Sequence, residues 1–131
     1  MVCGPPLEIH AGDDGFFDFA TKYQYTVSPL EIAQNLDESV VTALQEQAIR
    51  AFTTLGCTGL LRVDFFVTQD QGETRLVVNE VNTFPGFTAK SQYPLIWQSA
   101  GLEFSALLTV LLETALTTGL REGPGRTAVP A

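Results

Sequence analysis

"GLLRVDFFVTQDQGETRLVVNEVN", residues 59–82, holds two strand-like runs around a polar turn. "GLLRVDFFV" and "TRLVVNEV" are rich in β-branched and aromatic residues, the composition of strands. "TQDQGET" between them carries Gly72 near its middle. The pattern predicts an antiparallel hairpin. With Gly72 as pivot, Asp64 falls opposite Glu80, and directly opposed residues share a face. Glu80 and Asn82 share a face by the two-residue period of a strand, as do Arg62 and Asp64. The hairpin therefore gathers Asp64, Glu80, Asn82 and Arg62 on one side. A slip of one residue would part Asp64 from the others.

Two carboxylates and an amide form a hard-oxygen set, suited to magnesium or manganese rather than zinc. The same residues are compatible with a solvated face of an edge hairpin, with Arg62 in an ordinary ion pair. Alternatively, Arg62 meets negative charge developing on a transferring phosphoryl group.

Downstream lies "NTFPGFTAKSQYP", residues 82–94. Gly86 in the Pro-Gly turn either closes a simple turn or offers a bare N–H to an anion. "PLIWQSAG" reads as a short helix ending at Gly101. Phe104, Leu107, Leu108, Leu111, Leu112, Ala115 and Leu116 then predict a long amphipathic helix. Upstream, Val41, Leu44, Ala48, Phe52 and Leu55 recur at three- and four-residue steps, which predicts a helix over 37–55. Asp37 is its expected N-cap and Gly56 its stop. "LEIH", residues 7–10, is a strand candidate, followed by the aromatic loop "FFDFATKY", residues 16–23. His10 reads as an ordinary polar residue.

The chain has 131 residues, 45% of them hydrophobic and nine of them Phe, enough for one domain with a core. The net charge is -8, from 15 acids against 7 bases. That excludes a phosphate-tracking nucleic-acid surface, which needs clustered Lys and Arg. A nucleotide substrate remains open, because carboxylates can hold a bridging cation. Cys3 and Cys57 are far apart without metal spacing, as expected of two free thiols in a reducing compartment. No signal peptide and no membrane span is expected, which makes a cytoplasmic protein the default. The Gly- and Pro-containing tail, residues 121–131, is expected to be disordered.

"FFDFATKY", "GLLRVDFF" and "NEVNTFPGFTAKSQYP", in this order, resemble the D-alanine–D-alanine ligases of the ATP-grasp superfamily. The similarity covers roughly residues 7–116. It implies an α+β fold, the C-terminal lobe of an ATP-grasp enzyme over residues 1–120. An antiparallel sheet would carry two long helices packed on one side. It implies ATP-dependent activation of one D-alanine as an acyl phosphate, attacked by the amine of a second. The resulting dipeptide serves peptidoglycan. By the resemblance, Asp64, Glu80 and Asn82 match magnesium ligands, and Arg62 faces the reacting phosphoryl and carboxylate oxygens. Gly86 holds the oxyanion. Ser91 and the backbone at Gln92 hold the second substrate's carboxylate. Lys22 and Tyr23 belong to a loop that closes over the site, with Lys22 on phosphate.

Some residues depart from the family pattern. Phe17 stands where a tyrosine is usual, the loop between Tyr23 and Pro29 is short, and Ala89 and Lys90 replace commoner residues before Ser91. These bear on lid closure and on D-alanine against D-lactate as second substrate. The family's N-terminal and central ATP-binding domains have no counterpart here. The chain is therefore expected to be inactive alone and to need those domains in cis or in trans. A split ligase and a non-catalytic interaction module are the alternatives. Relatives of this kind are often homodimeric.

Overall fold

The computed structural model describes residues 1–9, 31–33 and 36–118. Its elements are β1 (Leu7–Glu8), β2 (Glu31–Ile32), α1 (Glu38–Thr54), β3 (Arg62–Asp70), β4 (Glu73–Asn82), α2 (Gln92–Ser99) and α3 (Phe104–Thr118). The architecture is α+β, as expected. Among the described residues both sheets are two-stranded and antiparallel, β1 with β2 and β3 with β4. The expectations for residues 10–30 and 119–131, including Lys22, Tyr23 and the tail, lie outside the described residues.

Helix α1 starts where Asp37 leaves helical geometry, at φ -57° and ψ 143°. The Asp37 carbonyl accepts from Val40 and Val41 at 2.9 and 3.1 Å. Its carboxylate, the expected cap, makes no capping bond. Gly56 ends the helix as expected. It takes φ 63°, the Gly56 N–H reaches the Thr53 carbonyl at 3.1 Å, and the Cys57 N–H reaches Phe52 at 3.0 Å. That pair of bonds is the Schellman arrangement, which a residue with a Cβ resists.

Helix α2 opens at Gln92, two residues before the proline-led stretch predicted from sequence. Pro94 is tolerated there because first-turn N–H groups have no partner inside the helix. Gly101 at φ 85° closes α2 by the same motif: its N–H meets Gln98 at 3.0 Å, and that of Leu102 meets Trp97 at 2.9 Å.

Helix α1 lies against β3, and α3 packs on α2. The residues ahead of β1 run between the helices. Gln45 Nε2 on α1 donates to the Gly4 carbonyl at 3.2 Å. A Cβ at Gly4 would sit 2.7 Å from Ile96 Cγ2 on α2. Among the described residues only Leu44, Tyr93 and Leu107 are buried hydrophobics. The α3 stripe is half covered: Leu107 is 2% exposed, while Leu108, Leu112 and Leu116 are 38%, 65% and 70% exposed. Cys3 and Cys57 are free thiols, as expected.

Candidate functional site: a carboxylate–amide hairpin face and an uncapped helix start

The hairpin turn is tighter than a glycine pivot. Asp70 pairs with Glu73, leaving Gln71 and Gly72 as the two turn residues, at φ 52° and 86°. Positive φ at both central positions marks the type I′ turn that matches strand twist. Continued regularly, that turn would place Asp64 opposite Asn79. Instead Phe65 pairs with Val78 and Asp64 with Glu80. Asn79 is left over as a β-bulge, two residues facing one across the ladder. The expected Asp64–Glu80 pair is observed, but a two-residue turn plus a bulge produces it.

The bulge also switches the parity of β4. Before it, Val77 lies on the face of Phe66; after it, Glu80 and Asn82 join that face, opposite Asp64 and Arg62. Val63, Val81, Phe65 and Val78 lie on the other side. The four predicted residues therefore share one face, and Arg62 pairs directly with Asn82.

Arg62 grips Asp64 with two bonds, Nε to Oδ1 at 2.8 Å and a terminal nitrogen to Oδ2 at 2.9 Å. The side chains are 15% and 25% exposed. A bidentate fork fixes the plane of the carboxylate. Three guanidinium N–H groups remain for another partner, and about two acceptor sites remain on the carboxylate. Asn82 Oδ1 accepts from the Phe84 N–H at 3.0 Å, which folds the chain back after β4. Glu80 is exposed. No group of three or more His, Cys, Asp or Glu gathers among the described residues. The oxygen set thus consists of Asp64, Glu80 and Asn82, each with lone pairs to spare. Its hard-oxygen chemistry fits a magnesium-like ion.

The loop beyond Asn82 is anchored by aromatic packing. Pro85 and Tyr93 are buried. Phe87 stacks at a tilt on Tyr93 at 5.9 Å and on Phe104 at 5.7 Å, and Tyr93 meets the edge of Trp97 at 6.2 Å. Burial pushes the Tyr93 hydroxyl above its ordinary value, partly offset by its hydrogen bond with Trp97. These contacts hold residues 83–91 against α2 and α3.

Ser91 is the N-cap of α2, yet its side chain caps nothing. The hydroxyl turns back instead. Ser91 Oγ accepts from the Thr88 N–H at 2.9 Å and shares a second bond with Thr88 Oγ1, also at 2.9 Å. The first-turn N–H groups of Gln92 and Tyr93 therefore gain no side-chain partner. No acidic residue stands in that turn to meet the helix dipole. Gly86 closes over the same hydroxyl: a Cβ there would lie 3.2 Å from Ser91 Oγ. A bare glycine thus keeps one side of Ser91 open, and the Gly86 N–H makes no bond among the described residues.

Two elements were missed from sequence. Thr88 carried no signal beyond a threonine three residues ahead of a serine. The Asn79 bulge was hidden because the turn length and the bulge offset one another in the count.

Among the described residues no single helix is long and apolar enough to cross a membrane; only α2 and α3, bent by 106°, pass together on length and composition. A family model described as D-ala D-ala ligase C-terminus matches residues 1–113. The chain is 44% identical over 115 residues to a D-alanine–D-alanine ligase of Mycolicibacterium smegmatis, covering 86% of this chain and 30% of that protein. Among solved structures it is similar to the VanG D-Ala:D-Ser ligase from Enterococcus faecalis. The TM-score is 0.61 at 40% identity, over 78% of this chain and 29% of that one. The D-alanine–D-alanine ligase from Bacillus anthracis complexed with ATP matches with TM-score 0.61 at 28% identity, over 76% and 33%. The chain spans less than a third of the length of the curated relatives it matches.

Proposed function

The chain belongs to the D-alanine–D-alanine ligase family, matching that family's C-terminal region over residues 1–113, and on that premise we propose that it is the catalytic C-terminal portion of an ATP-dependent carboxylate–amine ligase. The enzyme would join two D-alanines through an acyl phosphate for peptidoglycan synthesis, in the cytoplasm. The observation that carries the reading is the register, which gathers Arg62, Asp64, Glu80 and Asn82 on one face.

Asp64, Glu80 and Asn82 would hold magnesium or manganese, which supplies charge neutralisation on the ATP phosphates. Arg62 orients the Asp64 carboxylate through its fork and directs its remaining N–H groups toward phosphoryl oxygens. The unbonded Gly86 N–H serves the oxyanion. Ser91 Oγ and the Gln92 N–H take the second amino acid's carboxylate. The uncapped start of α2 supports that role, since helix N-termini favour anions. Lys22 and Tyr23 complete the site as a closing loop, carried over from the family resemblance. Ala89 and Lys90, which depart from the family pattern just before Ser91, bear on the choice of second substrate.

An ATP-grasp site lies between two lobes. Phe66, Val77, Val78, Phe84 and Leu112 are all more than 40% exposed, which supports the need for the family's N-terminal and central domains, in cis or in trans. Homodimerisation is part of the same proposal. The test is phosphate release. The purified chain with ATP, magnesium and D-alanine should release none, and addition of a polypeptide carrying the other domains should start it. Glu80→Ala or Asn82→Ala should abolish the restored activity. D-alanine-dependent release by the chain alone would overturn the requirement for other domains. A partner retained without any activity would favour an interaction module instead.

A further inference from the structure

Ser91 is held by a residue to which the resemblance assigns no role. We propose that Thr88 is the positioning residue that aims the Ser91 hydroxyl at the incoming carboxylate. The proposal rests on the reading that Ser91 takes the second substrate's carboxylate, and it adds the group that makes the serine directional.

A serine hydroxyl has two lone pairs and one proton. The Thr88 N–H fills one lone pair at 2.9 Å. The contact between the two hydroxyl oxygens, also 2.9 Å, runs in either direction. If Ser91 donates, its proton is spent on Thr88. If Thr88 donates, both Ser91 lone pairs are filled, and the serine proton has one outlet, away from Thr88. An arriving carboxylate accepts only, so it selects the second arrangement. Thr88 thus rotates from acceptor to donor, and Ser91 donates outward.

The surroundings leave that outlet open. The Ser91 hydroxyl makes no bond to its own helix, and Gly86 has no Cβ to fill the 3.2 Å gap beside the oxygen. Thr88 is itself exposed, so its hydroxyl is not needed to satisfy a core.

The test uses the full chain with Thr88→Ser, Thr88→Val and Ser91→Ala variants, read by NMR. Because Thr88 is exposed, each variant should keep the amide fingerprint of the fold, and Thr88→Ser guards against a loss caused only by the missing methyl. The Ser91 χ1 couplings should report one rotamer in the native chain and in Thr88→Ser, and averaging in Thr88→Val. Titration with D-alanine should shift the Ser91 and Gln92 amides. Thr88→Val should weaken that binding about tenfold, the worth of one hydrogen bond, and Thr88→Ser should restore it. A single Ser91 rotamer and native D-alanine binding in Thr88→Val would overturn the proposal while leaving the Ser91 reading intact. D-alanine shifts that are unchanged in Ser91→Ala, or absent even after addition of the polypeptide carrying the other domains, would remove the Ser91 reading and the proposal with it.

Discussion

Disrupting the Arg62–Asp64 fork should cost more than disrupting any exposed ion pair on the same hairpin, and the chain carries its own control. Arg75 meets Asp70 through one bond of 3.1 Å, with side chains 66% and 54% exposed. Arg62 meets Asp64 through two bonds, with side chains 15% and 25% exposed. Exposed pairs contribute about 0.2–1 kcal/mol, whereas breaking a fully buried pair costs about 3–5 kcal/mol. The fork lies between these limits and is still partly screened, so its coupling should be about 1–2 kcal/mol. The exposed pair should give less than about 0.5 kcal/mol. Two double-mutant cycles in urea measure this: Arg62→Met with Asp64→Asn, and Arg75→Met with Asp70→Asn. With a slope near 1.5 kcal/mol per M, the first coupling amounts to roughly 1 M in midpoint. Raising salt to about 0.5 M should erase the second coupling and leave most of the first. Equal couplings, or a fork that vanishes in salt, would refute the idea that Arg62 preorganises the Asp64 carboxylate.

Three further outcomes are expected. Gly4→Ala places a Cβ 2.7 Å from Ile96 Cγ2 and should cost about 1–3 kcal/mol by overpacking. Ile96→Leu, which lacks that methyl, should recover part of the loss in thermal melts, and simple additivity would contradict the clash. Gln71 holds φ 52°, so Gln71→Asn should stabilise the type I′ turn by about 0.5 kcal/mol; an unchanged urea midpoint would count against it. Burial raises the Cys3 thiol above its ordinary 9.0. Burial likewise raises the Tyr93 hydroxyl above 10.0, with an added push from Cys3. The fold favours both neutral forms, so stability is full below about pH 9 and is lost as pH rises through the folded values. Tyr93→Phe and Cys3→Ser should flatten that alkaline fall in melting temperature, and an unaltered slope would exclude these groups as its cause.

The hairpin, the helices and their glycine stops were legible from residues 37–118 alone, because periodicity and turn chemistry act locally. The same is true of the family, since short motifs in fixed order carry it. Membership of the Asp64, Glu80 and Asn82 cluster was legible as well. The reason for it was not: a pivot at Gly72 and a two-residue turn with a bulge at Asn79 give the same pairing, and residue counting does not separate them. Only three-dimensional packing decided that Arg62 clasps Asp64 rather than standing free, because two acids, Asp64 and Glu80, share its face. Packing also turned the Ser91 hydroxyl from its own helix toward Thr88. An N-cap serine ordinarily bonds its own first turn, and local rules point there. Aromatic contacts of Phe87 with Tyr93 and Phe104 set the approach of the loop. The Phe87–Phe104 contact joins the loop to a separate helix, so the direction of one hydroxyl is a property of the assembled fold.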